Sequence, residues 1–135
     1  MNVICADASP VALAALWGRL LIMLPGSEIF CCRSAEKALA IAEDQGCSIL
    51  ITDIDFGAAK GEGILLAEEI MKICPKANII FATAAAAGEF ASRILKIRYS
   101  GVLNKPYTLN ELRAELENLR YETDGTAYGM SADKE

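Results

Sequence analysis

Histidine is missing from this chain altogether. Its absence removes the commonest general base near neutral pH, the commonest metal ligand and any internal phosphohistidine, so chemistry here rests on carboxylates, lysine and hydroxyls. Basic residues are in the minority as well, with 13 lysines and arginines against 18 aspartates and glutamates and a net charge of −5. An acidic surface does not displace counterions from nucleic-acid phosphates, so no direct DNA binding is expected. The longest apolar stretch, Val11 to Pro25, is interrupted by Gly18 and Arg19 and falls short of the roughly 20 residues that a membrane-spanning helix needs. The start of the chain, Met1-Asn2-Val3-Ile4-Cys5-Ala6-Asp7, lacks the basic opening and small-residue cleavage pattern of a secretory signal, so a cytoplasmic protein with no membrane partner is expected. Five cysteines (Cys5, Cys31, Cys32, Cys47, Cys74) form an odd count without C-x-x-C spacing, which predicts buried free thiols rather than disulfides or a zinc site.

What the chain does have is apolar material: 53% of its 135 residues are hydrophobic, enough for one well-buried domain and little more. Residues 2–6 read as a strand ending at Asp7. Ser9-Pro10 then supplies a capping hydroxyl and a proline at the first helical position, and Val11, Leu13, Leu16, Leu20 and Leu24 continue a helix to the Pro25-Gly26 break, with Trp17 assigned to the core. Ile29 to Cys32 is a second strand. Ser34 caps a helix with Ala35, Ala38, Leu39 and Ala42 at helical spacing, ended by Gly46. Ser48 to Thr52 is a third strand, and a loop marked by Gly57, Gly61 and Gly63 leads to a helix carrying Ile64, Leu65, Ala67, Ile70, Met71 and Ile73. A fourth strand, Asn78 to Thr83, precedes a run of alanines and a helix through Phe90, Ile94 and Leu95. The fifth strand, Gly101 to Lys105, closes on Pro106, and Thr108-Leu109-Asn110-Glu111 makes a capping box for a helix with Leu109, Leu112, Leu116 and Leu119 on one face. From Glu122 the chain turns polar and glycine-containing, so residues 122–135 are expected to be a disordered tail beyond a domain of residues 1–121.

Strict strand-helix alternation implies an α/β fold with a parallel sheet, right-handed crossovers and helices on both faces. The simplest such arrangement is the flavodoxin-like (βα)5 fold with strand order 2-1-3-4-5. Short unbroken apolar runs fit strands buried on both faces. Three of them end in polar residues of complementary chemistry, Asp53, Thr83 and Lys105, and ligands of open α/β sheets bind beyond the carboxyl ends of the strands. A carboxylate becomes a nucleophile toward a phosphorylated donor only when the repulsion between anions is cancelled, which a divalent cation held by oxygen ligands achieves. Asp7, ending the first strand, is placed to be the second carboxylate on that metal, and Mg2+ is the natural candidate because it accepts one or two carboxylates plus phosphate and water. Lys105 would pair with the acyl phosphate or with Asp53, and the Thr83 hydroxyl would donate to a phosphoryl oxygen.

The segments Ile51-Thr52-Asp53-Ile54-Asp55, Phe81-Ala82-Thr83-Ala84 and Val102-Leu103-Asn104-Lys105-Pro106-Tyr107, in this order, resemble the signature of response-regulator receiver domains of two-component signalling. The resemblance spans residues 1 to about 121, and Lys-Pro after the last strand is its most specific element. It implies that Asp53 accepts a phosphoryl group from the phosphohistidine of a sensor histidine kinase or a histidine phosphotransfer protein. It implies further that Asp7, the Asp53 side chain and the Asp55 backbone carbonyl hold Mg2+, and that Thr83 and Lys105 sense the phosphoryl group. A downstream protein target would then recognise the surface around the fourth helix, fifth strand and fifth helix, where Arg93, Lys96 and Arg98 form a basic cluster, in a monomer or weak homodimer. The first helix, with Trp17, offers an apolar patch to a kinase helix bundle.

Three positions depart from the family pattern. Ala6 stands where a second acidic residue is usual, and the Asp55 carboxylate offers an oxygen in compensation. Val102 replaces the usual aromatic switch, with Tyr99 nearby, and the loop from Phe56 to Gly63 is longer than usual and lacks a proline. Two other readings stay open: a pseudo-receiver scaffold without phosphorylation, and a haloacid-dehalogenase-like phosphohydrolase, which shares an Asp-x-Asp strand end and later threonine and lysine strand ends.

Overall fold

The computed structural model describes residues 1–56, 60–84, 90–97 and 100–119. Alternating strands and helices run β1 (Asn2–Ala6), α1 (Pro10–Met23), β2 (Glu28–Cys32), α2 (Ala35–Gln45), β3 (Ile49–Thr52), α3 (Glu62–Ile73), β4 (Asn78–Thr83), α4 (Ala91–Ile94), β5 (Ser100–Asn104) and α5 (Leu109–Glu117). The five strands form one parallel sheet in the order β2-β1-β3-β4-β5, the expected flavodoxin-like arrangement. The inserted residues Gly57–Ala59, the alanines 85–87, Arg98, Tyr99 and the tail 122–135 lie outside the described residues.

Strand alternation divides the core into two layers. Ile4, Leu50, Ile79 and Phe81 face one side of the sheet and pack on Ala38 and Ala42 of α2 and on Ile64, Ala67 and Ile70 of α3. Val3, Cys5, Ile49, Ile51 and Ile80 face the other, where Leu13, Leu16 and Leu20 of α1 meet Leu112 and Leu116 of α5. Local chemistry sets the helix starts as the sequence implies. The Ser9 hydroxyl accepts from the Ala12 amide at 3.1 Å with Pro10 in the first turn, and Ser34 accepts from Lys37 at 3.2 Å. The Thr108 capping box is complete, at 3.0 Å from the Glu111 amide and 2.8 Å from the Thr108 amide to the Glu111 carboxylate.

Several assignments of helix faces differ from expectation. Trp17 is 46% exposed rather than core, and Val11, Leu21 and Ile22 are exposed beside it. α1 is apolar on every side, so period alone cannot select its buried stripe, and the sheet takes Leu13, Leu16 and Leu20. Leu65, Ile73, Leu95 and Leu109 are likewise exposed, and Leu66 is buried in place of Leu65. The fourth helix is a single turn. Among the cysteines all five are free, but only Cys5 and Cys32 are buried, while Cys31 is exposed. A half-exposed Trp17 has a measurable consequence. Trp17→Ala is expected to cost about 1 kcal/mol or less in urea unfolding, against the roughly 3–5 kcal/mol of a truncated core tryptophan.

Candidate functional site

The parallel register brings the ends of β1, β3 and β5 together at one sheet edge. The ladder continues one residue past each strand: the Asp53 amide donates to the Ala6 carbonyl at 3.0 Å, Asp7 donates to Cys32 at 3.1 Å, and Lys105 donates to Thr83 at 2.9 Å. These bonds fix the backbones of Asp7, Asp53 and Lys105 before any side chain is considered. The Lys105–Pro106 peptide is cis.

Three of the four strand-end residues meet through their side chains. Lys105 Nζ lies 2.5 Å from Asp7 Oδ2 and 3.6 Å from Asp53 Oδ2, with side chains 23%, 12% and 17% exposed respectively. The other Asp7 oxygen, Oδ1, accepts from the Ser9 amide at 2.9 Å, tying the carboxylate to the start of α1. One ammonium thus serves two largely sheltered carboxylates at the strand ends. Burial pushes the Asp53 carboxyl above its ordinary value, with the Lys105 charge opposing and the Asp7 charge adding to the rise. Burial would lower Lys105, but the hydrogen bond to Asp7 and the charges of both carboxylates outweigh it and raise its value.

Thr83 is buried at the end of β4, in register with Asn104, and reaches Lys105 through the backbone bond above. The cavity beside Asp53 is lined by its neighbours Ala82 and Ala84. Asp55 stands apart from the other carboxylates in its bonding, because its Oδ1 accepts from the Gly61 amide at 2.5 Å and anchors the loop that starts α3. Among the described residues no three acidic or cysteine side chains come together to hold a metal ion. The expected compensation for Ala6 by an Asp55 carboxylate is therefore not assembled in this conformation. Asp7 and Asp53 nonetheless fit a hard divalent cation: both are carboxylates, and their shared charge exceeds what Lys105 neutralises.

Arg93 of the basic cluster is engaged, 3.0 Å from Glu68 of α3, while Lys96 is exposed. Two residues that sequence reasoning did not place at the site are Arg19 and Tyr107. They line the same cavity, of about 390 Å3, which runs from Asp7 and Asp53 along α1. The Arg19 guanidinium sits 5.5 Å from the centre of the Tyr107 ring, a cation–π contact between two residues of the lining. The one signal for Arg19 is its standing as the sole charge in an otherwise apolar helix.

With this geometry in view, comparison with known proteins is informative. The family described as response regulator receiver domain matches residues 3–117. No curated protein matches the chain in sequence. Among solved structures, a CheY-like receiver domain protein from Methanospirillum hungatei is 21% identical, with 85% of this chain and 89% of that one covered and a TM-score of 0.75. The Vibrio cholerae chemotaxis protein CheY4 is 18% identical over 88% of this chain and 98% of its own, with a TM-score of 0.76. A response regulator protein from Burkholderia pseudomallei, whose structure contains a phosphorylated aspartic acid, a calcium ion and citrate, is 21% identical over 84% of this chain and 65% of its own, at a TM-score of 0.73. At these identities the structural likeness is one of fold.

Proposed function

Because the chain belongs to the response regulator receiver domain family, we propose that it is a phosphoacceptor in a two-component phosphorelay and that Asp53 is its acceptor. The observation that carries this reading is the Lys105 ammonium standing between Asp53 and Asp7 at the carboxyl edge of the sheet. Desolvation destabilises the resting Asp53 carboxylate, and converting it to an acyl phosphate puts the charge on the phosphoryl oxygens, two bonds further out, for Lys105 to pair with. In the transfer, an Asp53 Oδ atom forms a bond to phosphorus as the donor's bond to phosphorus breaks, the donor nitrogen or oxygen leaving with the electron pair. Mg2+, held by Asp7 and Asp53 and by the backbone carbonyl of Asp55, would neutralise the phosphoryl oxygens during that step.

The residues then divide the work. Asp7 is held in place by the Ser9 amide and gives up Lys105 as the phosphoryl group arrives. Thr83, one strand over, supplies the hydroxyl for a phosphoryl oxygen. The donor is a sensor histidine kinase or histidine phosphotransfer protein, and the exposed apolar flank of α1 (Val11, Trp17, Leu21, Ile22) is the surface it covers. A downstream protein reads the surface of α4, β5 and α5. The domain on this reading is residues 1–121, it works in the cytoplasm, and its only chemistry is phosphorylation and hydrolysis at Asp53.

Incubation with acetyl phosphate and Mg2+, followed by intact mass measurement, tests the proposal. One phosphoryl adduct is expected on the wild-type chain, none on Asp53→Asn, and none when the divalent cation is chelated. Absence of the adduct on the wild-type chain would favour a scaffold without phosphorylation. Steady turnover of added phosphate esters would favour a phosphohydrolase.

A further inference from the structure

The cysteines are not used by the site, and one pair among them is arranged for chemistry of its own. β2 is the edge strand of the sheet and pairs only with β1. In that pairing Cys31 is the direct partner of Cys5. Side chains of partnered residues in parallel strands point to the same face, and adjacent strands lie about 4.8 Å apart, inside the roughly 4.4–6.8 Å that a disulfide spans between its Cα atoms. The two thiols differ completely in access. Cys5 is fully buried, among Leu13 and Leu16 of α1, whereas Cys31 is the only exposed cysteine of the five. Cys31 Sγ also lies 3.9 Å from the Leu13 carbonyl, so its sulfur sits at the seam between the sheet edge and α1.

We propose that Cys31 is a hydroperoxide-reactive thiol and that Cys5 captures its oxidised form as an intrachain disulfide. In the first step the Cys31 thiolate attacks the peroxide, the O–O bond breaks, a sulfenic acid forms on Cys31, and the remaining oxygen leaves as water or an alcohol. The Cys5 sulfur then attacks the Cys31 sulfur, the S–S bond forms, the S–O bond breaks, and hydroxide leaves with the Cys5 proton as water. Two thiols have lost two electrons and one hydroperoxide has gained them. Burial protects Cys5 from direct attack, which makes Cys31 the entry point and Cys5 the resolving thiol.

The environment favours this order. A hydrogen bond from Cys5 brings the Cys31 thiol down from 9.0 to about 7, against the burial that raises it. Burial instead pushes Cys47 up to about 12 and also raises Cys32. The pair adjoins the phosphoacceptor pocket, since the next residue on β2, Cys32, accepts the Asp7 amide through its carbonyl.

The test uses the full, reduced chain treated with a small excess of hydrogen peroxide. The expected product has lost two of its five thiols to alkylation under denaturing conditions, and its peptide map joins the segment containing Cys5 to that containing Cys31. Cys31→Ser is expected to slow thiol loss about tenfold or more, as removal of the only low-pKa exposed thiol should. Cys5→Ala, checked for folding by circular dichroism beside Cys5→Ser, is expected to let a sulfenic acid accumulate on Cys31 that dimedone traps. Retention of all five thiols, a disulfide through Cys32, Cys47 or Cys74, or wild-type oxidation of Cys31→Ser would each overturn the proposal. None of these readouts involves Asp53.

Discussion

Gly63→Ala is expected to lower the unfolding free energy by about 3 kcal/mol or more, the upper end of overpacking penalties. A methyl group built on Gly63 would stand 1.8 Å from the Asp53 carbonyl oxygen, 2.8 Å from its carbonyl carbon and 2.9 Å from Ile54 Cα. The neighbours are backbone, so no side chain can rotate away. Nor can the strand exit retreat easily, because the Asp53 amide is bonded to Ala6 at 3.0 Å and the Gly63 amide donates to the Ile54 carbonyl at 2.7 Å. The first turn of α3 is therefore seated directly on the backbone of Asp53. Gly18→Ala is the control: it lies within α1 with nothing within 4 Å of the added carbon, and a glycine replaced by alanine inside a helix gains roughly 0.5–1 kcal/mol. Urea unfolding of the two variants should move the midpoint in opposite directions. A Gly63→Ala protein as stable as the wild type would show that α3 does not rest on Asp53 this closely.

Gly63 also marks the limit of what could be read from the sequence. The strands were legible because Val3–Ala6, Ile49–Ile51 and Ile79–Ala82 are apolar without interruption, as strands covered on both faces must be. Their parallel pairing followed from the alternation with helices, and their order is that of the simplest five-stranded arrangement of such units. Polar residues closing such runs stand out chemically, which is why Asp7, Asp53 and Lys105 were found, and their meeting follows from the parallel register alone. Loop contacts leave no comparable trace. Asp55 caps the Gly61 amide through the local path of the chain, and Gly63 is required by a close approach that no pattern of apolar residues encodes. The Arg19–Tyr107 contact joins opposite ends of the sequence. In α1 the signal is too abundant rather than too weak: residues apolar on every side hide which of them face the sheet, and the period does not set Trp17 apart from the core.

Lys105→Met is expected to destabilise the protein by about 1–3 kcal/mol at pH 7, between the small value of an exposed ion pair and the 3–5 kcal/mol of breaking a fully buried one. The substitution keeps the bulk of the stem and removes the ammonium from between Asp7 and Asp53. The pH dependence identifies the cause. Lys105 has a raised folded-state value, so its stabilisation is complete below its ordinary 10.5 and is lost as pH rises through the higher folded value. Asp53 is raised too, which for a carboxyl group means that the folded state prefers the proton. Its favourable contribution is complete below 3.8 and is lost as pH rises through its folded value. Without Lys105 the Asp53 value climbs further, so the variant should lose stability on going from acid to neutral pH more steeply than the wild type does. The gap between the two proteins should be small in acid, widest around neutrality, and should close again in strong alkali as the wild-type ammonium deprotonates. Urea unfolding across that range measures it, and a gap independent of pH would mean that Lys105 acts through packing and not through charge. Asp53→Asn tests the same electrostatics from the other side: it removes a carboxylate that burial disfavours and leaves Lys105 to Asp7, so stability at neutral pH should rise. On the phosphorelay reading this resting strain has a purpose, because an acceptor that the fold holds uncomfortably as an anion gains when it is esterified and its counter-ion moves out to the phosphoryl oxygens.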